Sequence, residues 1–295
     1  HKKNMLILIS DQFYPELETE LQDFGKVSRD RADYLYADII LIRSTTNVDR
    51  IFLKNAKNLK LLIRGGVGLD NVDLDMAQKL GISVCNTPNA SSISVAELAI
   101  TLILSLTNHI VKSDNTMHKN KWLKKQLKRT ELYGKTLGII GYGRIGNEVA
   151  RRATAFGMEI IGYHYRNIKS KFCDVTTNIN TVLAQADYVS IHLPLNNLTK
   201  DFFNKSMVDK CKKDAFIINT GRGETINELA ISNALHNGDL SGYASDVWCN
   251  YPPTDSPLMS APNVLMTPHL GASTKECMSR IGNEIIQIIK NFIEK

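Results

Sequence analysis

No two cysteines in this chain are spaced as C-x-x-C. The five present, Cys85, Cys173, Cys211, Cys249 and Cys277, are odd in number and scattered. That distribution argues against a disulfide framework and a zinc site, and it points to a reduced, cytoplasmic protein without a bound metal. No apolar run approaches the roughly 20 residues of a membrane span, so no membrane partner is expected. The opening HKKNMLILIS has an apolar stretch too short for a signal peptide and lacks a small-residue cleavage site. His1 in place of Met suggests a cloning remnant. No low-complexity linker or repeat interrupts the chain. At 295 residues it is about twice the usual domain length, so two domains are expected.

The net charge of +6 is local. Lys119, Lys121, Lys124, Lys125, Lys128 and Arg129 all fall within HKNKWLKKQLKRTE. Nucleic acid is not the expected partner, because no aromatic interleaving or helix-turn-helix pattern accompanies the run. A solvated amphipathic segment with Trp122 and Leu123 packed inward is the favoured reading, and a role toward an anionic ligand is the second.

What is present is a βα rhythm. MLILIS, YADIILIRS, LKLLIR and ISVCNTP read as four strands before residue 90, alternating with helices, which implies a parallel sheet covered on both faces. Residues 91–112 read as one long buried helix, with Ser94 and Glu97 as a capping box. KTLGII, GMEIIGYHY, ADYVSIHLP, AFIINTGRG, LSGYASDVW and NVLMTPHLG give six further strands, and the last twenty-odd residues an amphipathic helix. The fold class expected is α/β, with two Rossmann/flavodoxin-like doubly wound parallel-sheet domains and a cleft between them.

The centre of this pattern is GIIGYGRIG, residues 138–146. A short apolar strand precedes it. NEVARRATAF follows, with Val149, Ala150, Ala153 and Phe156 spaced as one helix face. Strand, glycine turn and helix start are the context that makes G-x-G-x-x-G dinucleotide-binding. Gly141 permits the tight turn, Gly143 lets the backbone approach a pyrophosphate, and Gly146 lets helix and strand pack closely. Downstream strand ends carry His192, Arg222, Asp246 and His269, and ligands of open α/β sheets bind outside such carboxyl ends. His109, His118 and His236 read as surface or packing residues, and Asn227 as a helix N-cap.

NTGRG with Arg222, SDVWCNYPP with Asp246 and TPHLGAST with His269 resemble the signatures of the D-isomer-specific 2-hydroxyacid dehydrogenases. RGGVGLDNVDLD (64–75), NTPNASSISVAEL (86–98), TELYGKTLGIIGYGRIG (130–146) and PHLGASTKE (268–276) are most similar to the branch acting on 3-phosphoglycerate. The resemblance implies a substrate-binding domain of residues 1–88 plus 273–295 and an NAD(P)-binding Rossmann domain of 89–272. It further implies a homodimer built through the long helix and the segment after it. The chain stops where longer members continue into a regulatory domain, so feedback by serine through such a domain is not expected.

The resemblance assigns proton transfer to His269, whose residue type titrates near neutrality, and the clamping of a 2-keto carboxylate to Arg222. It implies cofactor contacts from Gly141, Tyr142, Gly143, Arg144, Ile145 and Gly146, from His192, Pro194 and Thr199, and from Thr220, Gly221, Asp246 and Gly271. Arg43 and Arg64 fall where a substrate phosphate is bound, and Gly66, Val67 and Gly68 where the carboxylate is held. Two positions depart from the family. Tyr251 stands where a glutamate charges the catalytic histidine, which predicts a lowered histidine pKa. His164, with Arg166 two residues on, replaces the acidic residue that holds the ribose 2′-hydroxyl, so NAD and NADP both remain open. The expected activity is oxidation of 3-phosphoglycerate or reduction of 3-phosphohydroxypyruvate, the first step of serine biosynthesis. Glycerate, hydroxypyruvate or glyoxylate are alternative substrates. A dinucleotide-sensing binding protein is the alternative of another class, with Tyr251 as its argument.

Overall fold

The computed structural model describes residues 5–294, so His1 lies outside the described residues. They divide into two compact units, one up to Ser91 and again from Ala272, the other Ser92–Gly271.

The first unit contains β1 (Leu6–Ile9), β2 (Lys26–Ser28), β3 (Ile39–Ile42), β4 (Leu61–Arg64) and β5 (Ser83–Asn86). All pair in parallel, in the order β2-β1-β3-β4-β5. LILI, IILI and LLIR form strands because near-continuous apolar runs suit strands covered on both faces. Five strands stand where four were expected. The extra one, β2, is a three-residue KVS edge with no periodicity to betray it. Helices α1 (Glu16–Leu21), α2 (Arg50–Asn55) and α3 (Leu74–Lys79) connect the strands. Asp49 caps α2 by accepting the Phe52 N–H at 2.8 Å, and Asp73 caps α3 through the Met76 N–H at 2.9 Å.

The second unit opens with α4 (Ser92–Thr107) and α5 (Ile110–Met117). The single long helix expected over 91–112 is therefore broken. His109 adopts a left-handed φ of 54°, and the two helices bend by 58°. The His109 ring N–H donates to the Lys128 carbonyl at 2.9 Å, and this bond holds the break. The capping box is also corrected. Ser94 lies inside α4 and donates to the Gly271 carbonyl at 2.6 Å, while Glu97 pairs with Arg152 at 3.1 Å. The basic segment after α5 forms no helix, and Trp122 is 73% exposed rather than packed inward. No single helix among the described residues is long and apolar enough to cross a membrane.

The chain then runs β6 (Thr136–Ile140), α6 (Arg144–Ala155), β7 (Glu159–Tyr163), β8 (Asp174–Thr176), α7 (Ile179–Gln185), β9 (Tyr188–Ile191), α8 (Lys205–Val208), β10 (Ala215–Asn219), α9 (Glu228–Asn237), β11 (Leu240–Ser245) and β12 (Val264–Met266). The seven strands lie in the order β12-β11-β10-β9-β6-β7-β8, all parallel. Six were expected; β8 is another three-residue edge. On α6, Val149, Ala150 and Ala153 are buried as anticipated, whereas Phe156 is the C-cap residue and stays 41% exposed. The order reverses between β6 and β9, and that switch point is where open α/β sheets bind ligands.

The last helix, α10 (Lys275–Ile293), returns to the first unit. Its Thr274 cap accepts the Cys277 N–H at 3.0 Å. Cys277, Ile281, Ile285 and Ile289 form a fully buried stripe in one core with Leu17, Leu21 and Ile7. Each isoleucine so buried contributes roughly 1.5–3 kcal/mol.

Candidate active site

At the glycine turn the three glycines have different reasons. Gly141 has φ +85°, and a Cβ there would sit 2.8 Å from the His192 carbonyl oxygen. At Gly146 it would meet Ile139 at 3.0 Å and the Gly141 oxygen at 3.2 Å, the close helix–strand approach expected. At Gly143 the nearest atom would be 4.0 Å away. The fold does not require that third glycine, and its bare backbone leaves room for a ligand to approach. Gly143 is also the N-cap of α6, and the first helical bond runs from the Asn147 N–H to its carbonyl at 2.9 Å. The N–H groups of Arg144, Ile145 and Gly146 therefore have no intrahelical acceptor. At the start of a twelve-residue helix they favour an anion. The residues present thus fit a pyrophosphate. Tyr142 offers only backbone, because its ring is buried against Gly162 and its hydroxyl lies 2.6 Å from Ser170.

His164 is the first residue past β7. Its Nδ1 accepts the Arg166 backbone N–H at 3.1 Å, and the Arg166 guanidinium lies 4.7 Å over the Tyr165 ring. The end of this strand is thus an imidazole beside an exposed arginine.

Past β9, His192 is buried between two hydroxyls, Ser190 at 2.8 Å and Thr220 at 3.1 Å. Burial lowers its pKa to about 4, so the ring is neutral. Gly221 packs on the Leu193 backbone, where a Cβ would come within 2.8 Å of the carbonyl oxygen. The Thr199 hydroxyl closes its own loop by donating to the Pro194 carbonyl at 2.5 Å. His192, Thr220 and Gly221 are thus one buried seam behind the glycine turn.

Arg222 follows at the end of β10. Its turn is braced by Thr225, whose hydroxyl donates to the Arg222 carbonyl at 2.6 Å, and by the Asn219 amide at 3.0 Å. Past β11, Asp246 is buried and accepts from the Thr267 hydroxyl (2.7 Å), the Leu270 N–H (2.7 Å) and the Gly271 N–H (2.8 Å). The aspartate thereby ties down the loop after β12, in which His269 has φ +60°. The Tyr251 ring stacks on the His269 imidazole at 5.5 Å and 25°. The Tyr251 oxygen accepts the Trp248 N–H at 3.1 Å, so it is the face of the phenol that meets the histidine. Desolvation holds the Tyr251 pKa above that of a free phenol, opposed by the Trp248 N–H and the Arg222 charge. Arg222, Tyr251 and His269 are therefore neighbours, while Asp246 stands behind them.

In the first unit, Arg43 follows β3. Its backbone N–H donates to Asp11 at 2.6 Å, and its guanidinium pKa is lowered by burial, with Cys277 and Asp11 opposing. It lines a cavity of about 790 Å³ with Thr274 and Lys275. The Arg64 guanidinium folds across Gly66, whose φ of +146° only glycine adopts readily. The Val67 carbonyl accepts the Asn86 amide at 2.6 Å, which orders the Gly66–Gly68 turn.

Residues 100–271 match the family model described as D-isomer specific 2-hydroxyacid dehydrogenase, NAD binding domain. The chain belongs to that family. A hydroxypyruvate reductase of Thermotoga maritima is 42% identical over 255 residues, 85% of this chain and 83% of that protein. A D-3-phosphoglycerate dehydrogenase of Methanocaldococcus jannaschii is 38% identical over 299 residues, 97% of this chain. The chain spans only 57% of the length of that second relative. A glyoxylate reductase structure from Paecilomyes thermophila superposes with TM-score 0.91 at 28% identity, covering 100% of this chain and 97% of the other.

Two residues, one in each unit, brace candidate residues and carry no signal in the sequence. Thr267 reads as an ordinary loop residue, yet it bonds Asp246 through its side chain and accepts the Trp248 indole N–H through its carbonyl at 3.0 Å. Asp11 lies in a polar stretch between β1 and α1 with no motif to mark it. Their partners are 21 and 32 residues distant, beyond any local pattern.

Proposed function

We propose that this protein transfers hydride between a nicotinamide dinucleotide and a D-2-hydroxy acid. The observation that carries this reading is the grouping of Arg222, Tyr251 and His269 at strand ends of the sheet that starts with the open Gly143 turn. The dinucleotide, when bound, supplies or accepts the hydride. His269 gives a proton to the carbonyl oxygen during reduction and removes it during oxidation. Arg222 clamps the carboxylate and polarises the carbonyl. The Tyr251 ring orients the imidazole but brings no charge. Tyr251→Glu is accordingly expected to raise the pH at which reduction fails by roughly one to three units and to raise kcat near neutrality. An unchanged pH profile with unchanged kcat would contradict this.

The favoured substrate pair is 3-phosphoglycerate and 3-phosphohydroxypyruvate, in serine biosynthesis in the cytoplasm. Arg43 and Arg64 supply the phosphate site, and the Gly66–Gly68 backbone holds the carboxylate. The similarity to a hydroxypyruvate reductase supports glycerate and hydroxypyruvate as the second pair. His164 and Arg166 at the end of β7 support acceptance of NADP as well as NAD. A homodimer is supported by exposed Ile110, Val111, Met117 and Trp122 along α5 and the segment after it, and light scattering tests it. The central experiment is oxidation of NADH and NADPH with phosphohydroxypyruvate, hydroxypyruvate and glyoxylate in parallel. The highest kcat/KM is expected with phosphohydroxypyruvate. No turnover with any of them would replace this reading with a dinucleotide-sensing role.

A further inference from the structure

Residues 249–256 form the loop that presents Tyr251 to His269. None of its residues, CNYPPTDS, is buried, and Tyr251 is 55% exposed, although Trp248 and Leu258 are buried at its two flanks. Both ends are gripped by one side chain, Glu228, the first residue of α9. Its Oε1 accepts the Cys249 N–H at 3.2 Å, and its Oε2 accepts the Ser256 hydroxyl at 2.6 Å. A carboxylate at that position is favoured by the helix N-terminus, yet its oxygens turn to the loop. The cap of α9 is left to Asn227, which accepts the Ala230 N–H at 2.9 Å. One turn on, the Ser232 hydroxyl donates to the Pro257 carbonyl at 3.0 Å, and this second bond continues the same contact. The start of the loop also presses on the turn that bears Arg222. A side chain at Gly223 would collide with the Trp248 carbonyl and the Cys249 nitrogen.

We propose that Glu228 is a positioning residue for the reaction: its carboxylate clamps loop 249–256 to α9 and so holds the Tyr251 ring on the His269 imidazole. The inference rests on the reading of His269 as the proton carrier. Loss of the clamp lets the ring leave the imidazole, which is then no longer held in one orientation. A misplacement near 1 Å at a reacting group lowers turnover by roughly 100-fold, and a released loop is expected to lose between about 10- and 100-fold on that scale.

The test is a double-mutant cycle of Glu228→Ala with Tyr251→Ala, run on the full chain with Glu228→Gln and Ser256→Ala alongside. Fluorescence titration of the reduced dinucleotide verifies that each variant folds and binds. Glu228→Ala should lower kcat while leaving dinucleotide affinity within about twofold, since Glu228 shares no hydrogen-bond partner with the glycine turn. Glu228→Gln, which keeps an oxygen for the Cys249 N–H, should recover most of the activity, and Ser256→Ala should fall between. In the Tyr251→Ala background, Glu228→Ala should have little further effect. Losses that multiply across the cycle, or no recovery in Glu228→Gln, would overturn the proposal. Full activity in a His269 variant would instead overturn the reading of the histidine, and the proposal with it, whatever the cycle shows.

Discussion

Each unit uses a buried aspartate in the same way. Asp11, after β1, accepts the Arg43 N–H, the Thr46 N–H and the Thr46 hydroxyl. Asp246, after β11, accepts the Leu270 N–H, the Gly271 N–H and the Thr267 hydroxyl. Both carboxylates take two backbone donors and one threonine, and both grip the loop leaving the strand next to their own in the sheet. The loops differ in cargo. One carries a half-buried arginine with an ordinary backbone, the other a histidine at φ +60°. A left-handed histidine is unfavourable unless its neighbours determine it, so the second clamp fixes a conformation as well as a place. One device thus serves charge placement in one sheet and ring orientation in the other.

The largest effect is expected at the residue the second loop carries. His269→Asn keeps a residue that tolerates the left-handed region and removes the proposed proton carrier, so kcat/KM should fall by roughly 10²–10⁴ with the melting temperature preserved. Steady-state reduction assays decide this, and retained activity would remove His269 from the site.

Acid stability comes second, through His192 of the second unit. His192 is held neutral in the folded protein with a pKa near 4 against 6.5 when free. The unfolded state binds the extra proton between those values, so stability falls as pH drops from about 6.5 toward 4 and levels off below. A shift of that size corresponds to about 3 kcal/mol. Urea unfolding at pH 7 and pH 4.5 should show this loss in the wild type and a flatter response in His192→Gln. Equal acid sensitivity in the two proteins would count against it.

The clamps themselves come third. Asp11→Asn and Asp246→Asn should each cost about 1–3 kcal/mol by leaving buried donors unmatched. Their kinetic signatures should separate. The Asp246 variant loses kcat, whereas the Asp11 variant raises KM for phosphohydroxypyruvate more than for hydroxypyruvate. Identical signatures would dissolve the distinction between the loops. The smallest effect contrasts two glycines of one turn. Gly146→Ala should lose about 1–3 kcal/mol through overpacking. Gly143→Ala should cost only the poorer N-cap of α6, about 1 kcal/mol or less, while weakening dinucleotide binding, as isothermal titration would measure.

Much of this was legible in the residues. The apolar runs of β1, β3, β4 and β6 could be strands and little else, and the glycine spacing between β6 and α6 named a dinucleotide turn. Arg222 and His269 could be placed at strand ends because the βα rhythm locates those ends. The edge strands β2 and β8 were not legible, since three residues carry no period and their pairing partners make them strands. Residues 91–112 misled for a related reason. Their composition favours one helix throughout, and the break at His109 is held by a carbonyl nineteen positions away. Trp122 looked like a core residue by type alone, and side-chain type does not say which surface covers it.

Local backbone preference, periodicity and residue type are enough for the two parallel sheets, the dinucleotide turn and the chemistry available at the strand ends. Long-range packing sets that α10 closes the first core and that Gly143, unlike Gly141 and Gly146, has open space before it. It alone decided that Asp246 faces a loop, and that Tyr251 meets His269 with its ring while Glu228 holds the loop beneath. Each of these is set by which distant groups come within about 3 Å, the reach of a hydrogen bond, and no local pattern encodes that distance.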